Sequence, residues 1–336
     1  MNEFITLNHG SGGKASGELI QEVFINSFGQ VDNILADSAI LNIPKNQIAF
    51  TTDSFVVDPI FFPGGDIGKL AICGTVNDLA VSGAIPKYIS ISFIIEEGFS
   101  IKVLKKIANS IAEQATIANV KIVAGDTKVV QKGKCDKVFI NTTGIGIFNN
   151  DLAYISDGRK IKVGDKIIIN GTLGDHSMAV LGARNEIDIN VDIKSDCVCL
   201  NHLIADIFNK NVKVKFMRDI TRGGLATILN ELARITDFGI EIYEKDVPVK
   251  ESVMGLCEIL GFDPLYLANE GKFLMVVDTK DVEKTIDCMQ GNILGKESVV
   301  IGEIVNDHPK MVVGNTEVGG KRIIDILQGE QLPRIC

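Results

Sequence analysis

Aspartate meets glycine repeatedly along this chain, at Gly65-Asp66, Gly125-Asp126, Gly164-Asp165 and Gly174-Asp175, while Asp37, Asp53 and Asn77-Asp78 add further oxygen ligands in the first half. Taken singly, such residues cap helices or close turns. The first-half set differs because Asp37, Asp53, Asn77-Asp78 and Asp126 each sit at or near the end of an apolar segment, where carboxylates from several elements can converge on a hard cation. With a net charge of −9, the chain needs such a cation, Mg²⁺ being the natural one, to accept a polyphosphate. The segment His9-Gly10-Ser11-Gly12-Gly13-Lys14 reads either as a linker or as a phosphate-covering loop whose small residues let backbone N–H groups approach an anion beside Lys14. It is not a Walker loop: Ala15 follows Gly13-Lys14, Leu70 follows Gly68-Lys69, and Pro63 stands where the first glycine belongs. No G-x-G-x-x-G follows a first strand, which argues against a dinucleotide fold.

Three more residues have chemical potential. Lys128 follows Gly125-Asp126-Thr127, and Glu270 lies in Ala268-Asn269-Glu270-Gly271-Lys272; each is a surface charge or an acid–base group. Cys336 ends the chain in Leu332-Pro333-Arg334-Ile335-Cys336, a position that packing alone does not readily explain. Pro333 disfavours helix at Leu332, so the end is expected to run extended, and the stretch from Gly329 can reach about 26 Å. A tethered arm carrying a group on sulfur fits that reach; so does an ordinary frayed end.

The elements that must position these residues can be read from periodicity. The apolar spacing predicts helices over 14–28, 66–82 and 101–118, and short strands over 47–52 and 55–60 flanking Asp53-Ser54. Strands follow at 86–95, at 120–124 as a buried one, and at 137–147. A polar, turn-rich stretch over 149–165 is the expected domain boundary. Beyond it come a strand at 166–169, the Gly171-Thr172-Leu173-Gly174-Asp175 loop, and helices through 178–181, 196–209 and 222–235. Strand 240–243, helix 250–260, strand 273–277, helix 282–290 and strand 298–304 complete the second half. The expected fold class is α+β, with domains at 1–155 and 156–325 and a mobile tail over 326–336.

Composition bounds the function. The 336 residues, 46% hydrophobic and 23% charged, suit two cores of an ordinary globular protein. No apolar run reaches membrane-span length and the start lacks secretory-signal character, so the expected place is cytoplasmic with no membrane partner. The acidic balance opposes phosphate-backbone binding, so no nucleic acid is expected as a partner. Seven dispersed cysteines read as reduced thiols; the one close pair, Cys197-Val198-Cys199, is a weak metal signal and reads better as buried filler.

In order along the chain, several segments resemble the HypE family of carbamoyl dehydratases, within the aminoimidazole ribonucleotide synthetase superfamily. They are His9–Gly13, Thr52-Asp53-Ser54, the run from Phe61 through Ala84, Gly125–Val130, Gly171–His176, Asp219–Gly224, Ala268–Lys272 and Pro333-Arg334-Ile335-Cys336. The resemblance implies two α/β domains, the N-terminal sheet completing a barrel across a homodimer, with ATP at the seam. It implies that Cys336 carries a carbamoyl group received from the carbamoyltransferase HypF. ATP-dependent dehydration would turn that group into a thiocyanate, and the cyanide would pass to iron on a HypC–HypD scaffold for [NiFe]-hydrogenase. Catalytic roles then fall on Cys336, Lys128 and Glu270: Glu270 as base and Lys128 as an orienting or phosphate-stabilising charge, or the reverse. ATP contacts fall on Gly12, Gly13, Lys14, Asp53, Lys69, Asn77, Asp78 and Asp126, and Mg²⁺ ligands on Asp37, Asp53, Asp78 and Asp126. The alternatives are a superfamily enzyme acting on a free small molecule, such as a selenophosphate synthetase, and a non-catalytic thiol carrier or metallochaperone. The first usually has a reactive cysteine or selenocysteine in the glycine segment, absent here; the second leaves the nucleotide-like residues unexplained.

Overall fold

The computed structural model describes residues 13–19, 21, 39–43, 46–148, 152–184, 192–327, 329 and 332–336. Asp37, Gly12 and the segment His9–Ser11 lie outside them, as does most of the helix expected over 14–28, of which Lys14–Leu19 is described as α1. Among the described residues no helix is long and apolar enough to cross a membrane, and all seven cysteines are free thiols.

The first half builds a five-stranded sheet in the order β1-β2-β7-β5-β6. Its strands are β1 (Ala39–Ile43), β2 (Asn46–Phe55), β5 (Ile85–Glu96), β6 (Lys121–Val130) and β7 (Val138–Ile147). A two-residue pair, β3 (Phe61–Phe62) and β4 (Gly65–Asp66), stands apart from it. Helices α2 (Ile67–Val81) and α3 (Ile101–Ile117) pack against this half's core. Asp66 caps α2 by accepting from the amides of Gly68 at 2.8 Å and Lys69 at 3.1 Å, and Gly83 turns the chain away with a φ of +86°. Helix α2 is buried nearly all round because it lies on the first sheet while its Ala80 and Val81 join a core with Leu203, Met217 and Phe273 of the second half.

The second half forms a seven-stranded sheet in the order β14-β13-β10-β12-β8-β11-β9. Its strands are β8 (Lys166–Ile169), β9 (Val214–Asp219), β10 (Gly239–Tyr243), β11 (Phe273–Val277), β12 (Val299–Val305), β13 (Val312–Asn315) and β14 (Lys321–Ile323). Around it stand α4 (Asp175–Ala183), α5 (Asn201–Asn209), α6 (Gly224–Thr236), α7 (Glu251–Leu260) and α8 (Val282–Gln290). Strand periodicity sorts its two cores: Leu274 and Val276 join Leu225 and Leu229 of α6, while Phe273, Met275 and Val277 join Leu203 of α5 and Met289 of α8.

Four local expectations change. The strand expected over 47–52 runs on through Asp53-Ser54 to Phe55 as β2, in which Asp53 pairs with Thr142 and Ser54 with Asn141 of β7, whereas 56–60, expected as strand, is not; a ladder on a neighbouring strand overrides the polar dipeptide. The strand expected to be buried over 120–124 is β6, an edge strand exposed along most of its length, which continues through Gly125–Val130. Strand β9 escaped the periodicity because its buried Lys215 and Arg218 make it read as polar; Lys215 pairs with Asp165 and Asp278, and Arg218 with Glu231. The helix expected from 196 begins at Asn201, since Val198 and Leu200 are tied into the seam between the halves.

Candidate active site

The segment carrying Glu270 is pinned from three directions. Asn269 accepts from the Gly174 amide at 2.8 Å and donates to the carbonyls of Ile220 at 3.1 Å and Leu267 at 2.9 Å. The Glu270 amide donates to Asp196 at 3.0 Å, and the Val198 amide donates to the Glu270 carbonyl at 3.3 Å. Asn77, in the middle of α2, reaches across: its side-chain nitrogen donates to the carbonyls of Val198 at 3.0 Å and Glu270 at 3.4 Å, while its oxygen accepts from the Leu200 amide at 2.8 Å. One side chain of the first half thereby fixes the position of Glu270 in the second.

Glu270 is 3% exposed. Burial first, then the neighbouring Asp219, Asp196 and Asp53, hold its carboxyl well above the usual carboxylate range, with Arg222 acting in the opposite sense. Arg222 in turn is held above its ordinary value, foremost by the charge at Cys336 and then by Asp53, Glu270 and Asp78, against the effect of burial. Arg222 thus lies within electrostatic reach of Glu270, Asp53, Asp78 and the end of the chain, and Glu270 within reach of Asp53. A buried carboxyl with a raised proton affinity, within electrostatic reach of the exposed Arg222 guanidinium, is the arrangement expected of an acid–base centre.

The chain end is docked against the segment that leaves β2. The Val56 amide donates to the Cys336 carbonyl at 3.0 Å and the Asp58 amide to the Arg334 carbonyl at 3.2 Å, extending the end of β2 by strand-like pairing. Ile335 is 5% exposed inside the first core. His176 bonds its carbonyl through Nε2 at 2.8 Å, so the proton sits on Nε2 and Nδ1 accepts from Ser195 at 2.7 Å. Burial lowers the pKa of this imidazole, which stays neutral.

Asp53 and Asp78 share one neighbourhood: Thr51, which lies on the same face of β2 as Asp53, donates to Asp78 at 2.7 Å. These two carboxylates fit Mg²⁺, which takes one or two protein carboxylates and completes its shell with water and phosphate oxygens. Among the described residues no group of three or more histidine, cysteine or acidic side chains is placed to hold a metal by itself.

Both halves match a single family. Residues 35–148 match the model "AIR synthase related protein, N-terminal domain" and residues 162–314 its C-terminal domain. The chain is 46% identical over 343 aligned positions to carbamoyl dehydratase HypE of Rhodobacter capsulatus, covering 100% of this chain and 99% of the relative. The chain belongs to the HypE carbamoyl dehydratase family. Its fold superposes with a TM-score of 0.86 on HypE from a HypE–HypF complex, at 48% identity over 92% of this chain and 99% of that one. A HypE solved in complex with ATP gives 0.82, at 42% identity over 99% of this chain and 100% of that one.

Against the HypE expectation, one protomer brings together only part of the set. Cys336, Glu270, Asn77, Asp53 and Asp78 converge, as described. Asp126 and Lys128 do not: three strand spacings separate β6 from β2, about 14 Å, and the register puts Asp126 in line with Ser92, Asn141 and Ser54, on the face opposite Asp53. Gly13 packs against the Leu327 carbonyl, where a Cβ would approach to 2.5 Å, and Lys14 lies 3.9 Å from Glu18. Lys69, in the first turn of α2, donates to the Gly64 carbonyl at 3.0 Å. Residues to which sequence reasoning gave no role are Arg222, Asp219, Asp196 and His176. All but Asp196 lie in segments that carried the resemblance, a signal that sequence reasoning left unused. The Cys197-Val198-Cys199 pair is buried, and Cys199 meets Cys73 of α2 at 3.4 Å between sulfurs.

Proposed function

We propose that the protein carries a carbamoyl group on the Cys336 sulfur and dehydrates it with ATP to a thiocyanate, the source of cyanide for the iron of a [NiFe]-hydrogenase. The observation that carries this reading is the docking of Cys336 against Val56, within electrostatic reach of Arg222, in a chain of the HypE family. A carboxamide oxygen is a poor leaving group, so it must be activated. Its attack on the γ-phosphorus forms a P–O bond and breaks the bond to ADP. Loss of one N–H proton and departure of phosphate cleave C–O, and loss of the second N–H proton leaves S–C≡N. Glu270 takes an N–H proton, a role its raised affinity suits once it is ionised. Arg222 opposes the negative charge that develops on the leaving phosphate and favours the ionised base. Asp53 and Asp78 would hold Mg²⁺, which would supply neutralisation of the phosphate charge.

The far face of the first sheet exposes Phe50, Tyr88, Ile94 and Ile147, and β6 is an open edge. A second copy laid against that surface buries it, closes a barrel, and offers a way to bring Asp126 and Lys128 to the nucleotide. The HypE relative solved with HypF supports a carbamoyltransferase as donor, and the one solved with ATP supports the nucleotide. The same proposal includes Asp37, Gly12, Gly13, Lys14 and Lys69 near the phosphates, a HypC–HypD acceptor, a cytoplasmic location suited to seven free thiols, and domains at 1–155 and 156–325 ahead of a tail at 326–336.

The test is intact-mass spectrometry of protein carbamoylated on Cys336 and then given MgATP. The C-terminal peptide should lose the mass of one water. Unchanged mass in protein that still binds ATP would sink the dehydratase reading.

A further inference from the structure

One arginine outside the charged centre joins the chain end to the first half. Arg184 follows α4, and its Nε donates to the Asp58 carbonyl at 2.9 Å. Its Nη2 donates to the Arg334 carbonyl at 3.0 Å and also to that of Pro333. The guanidinium thus bridges the segment leaving β2 and the last residues of the chain. All three acceptors are backbone carbonyls. A planar fork of this kind holds two strands in register in a way that a lysine's single ammonium does not.

The other contacts of the docked end are of a different type. Arg334 bonds Val56 at 2.9 Å through Nε and pairs with Asp136, but it belongs to the tail and leaves with it. His176 holds a single carbonyl. Arg184 is anchored on the body of the protein and grips two consecutive tail carbonyls next to the pairing of Asp58 with Arg334.

We propose that Arg184 is a positioning residue, a latch that sets how much of the time Cys336 is held at the reaction centre. It touches no reacting atom. Because loading needs the thiol outside and dehydration needs it inside, weakening the latch should move the two half-reactions in opposite directions, a consequence that rests on the carrier reading above. The latch itself does not rest on it, since thiol protection can be read with no nucleotide or transferase present.

The experiment is pulse alkylation of the full chain with iodoacetamide, following Cys336 in the C-terminal peptide by mass spectrometry, with the partly exposed Cys288 as internal reference. Wild-type Cys336 should react more slowly than the same thiol in a free peptide of the last residues. Arg184→Ala should speed Cys336 alkylation about tenfold, the effect of losing roughly one charge-assisted hydrogen bond's worth of hold, with Cys288 unchanged. Arg184→Lys, which keeps the charge and loses the fork, should also speed it, and serves if the alanine variant does not fold. In carbamoylation and dehydration assays the variants should load faster and dehydrate more slowly. Equal alkylation in wild type and folded variants, or wild-type protection no greater than the peptide's, overturns the latch. A variant that keeps fast alkylation while neither half-reaction occurs even in wild type overturns the carrier reading alone.

Discussion

Glu270 concentrates the conflict between folding and chemistry in one side chain. Its carboxyl has a folded pKa raised by burial and by Asp219, Asp196 and Asp53. A group raised in this way contributes stability that is fully present below its unfolded value, and that is lost as pH climbs through the raised folded value. Glu270→Gln should therefore melt with a smaller loss of Tm between pH 5 and pH 8 than the wild type, while dehydration falls by a factor of about 10² or more, the usual size of a general-base contribution. Thermal unfolding across that range checks the first and single-turnover mass loss the second. A variant that turns over normally would remove Glu270 from the base role. The charge of Arg222 lowers the Glu270 pKa, so Arg222→Gln should shift the rising limb of the pH–rate profile to higher pH. A profile that stays put would show that the guanidinium does not act on the base.

Among the elements, the short irregular stretches matter more than the helices and strands. The Glu270 segment is pressed so closely on 196–198 that a Cβ at Gly271 would run into the Asp196 carbonyl and the Val198 side chain. Gly271→Ala should cost about 1–3 kcal/mol, the range for overpacking a filled site, and should reduce turnover beyond what stability explains because Glu270 moves with the backbone. Denaturant unfolding and turnover of the folded fraction separate the two. Asn77 is the partner contact from α2. Asn77→Leu, close in volume, strands the Leu200 amide and takes the donor from the Val198 carbonyl, with an expected cost of about 1–3 kcal/mol for the unsatisfied groups. These contacts are between residues far apart in the chain, and no local pattern announces them; only the helix carrying Asn77 could be read from its spacing.

The molecule as a whole is two large sheets meeting at α2, with one face of the first sheet and its edge strand β6 left open. Ile122, Val123 and Val129 on β6 are 40%, 60% and 61% exposed. A charge there should block pairing of two copies without touching the core: Val123→Lys is expected to sediment as a monomer and to lose dehydration while Cys336 still accepts a carbamoyl group. Analytical ultracentrifugation and the mass assay read the two effects. A dimeric Val123→Lys would argue that the interface lies elsewhere.

The sequence by itself determined the family, through an ordered set of glycine-rich and acidic motifs, and most elements whose apolar period is strong, α2, α3, β7 and β11 among them. It also singled out Cys336 and Glu270. Local pattern could not say that Asp53-Ser54 sits inside a strand, that β6 is an exposed edge, or that Lys215 and Arg218 are strand residues, because in each case a partner distant in the chain decides. Tertiary structure alone decided that Asp126 and Lys128 lie apart from Asp53 and Asp78 within one protomer, and that Arg222, His176 and Arg184 converge on the chain end. The physical reason is that residue type and spacing report which face of an element is apolar, whereas a site is made where elements cross, and the crossing is set by how the two cores pack.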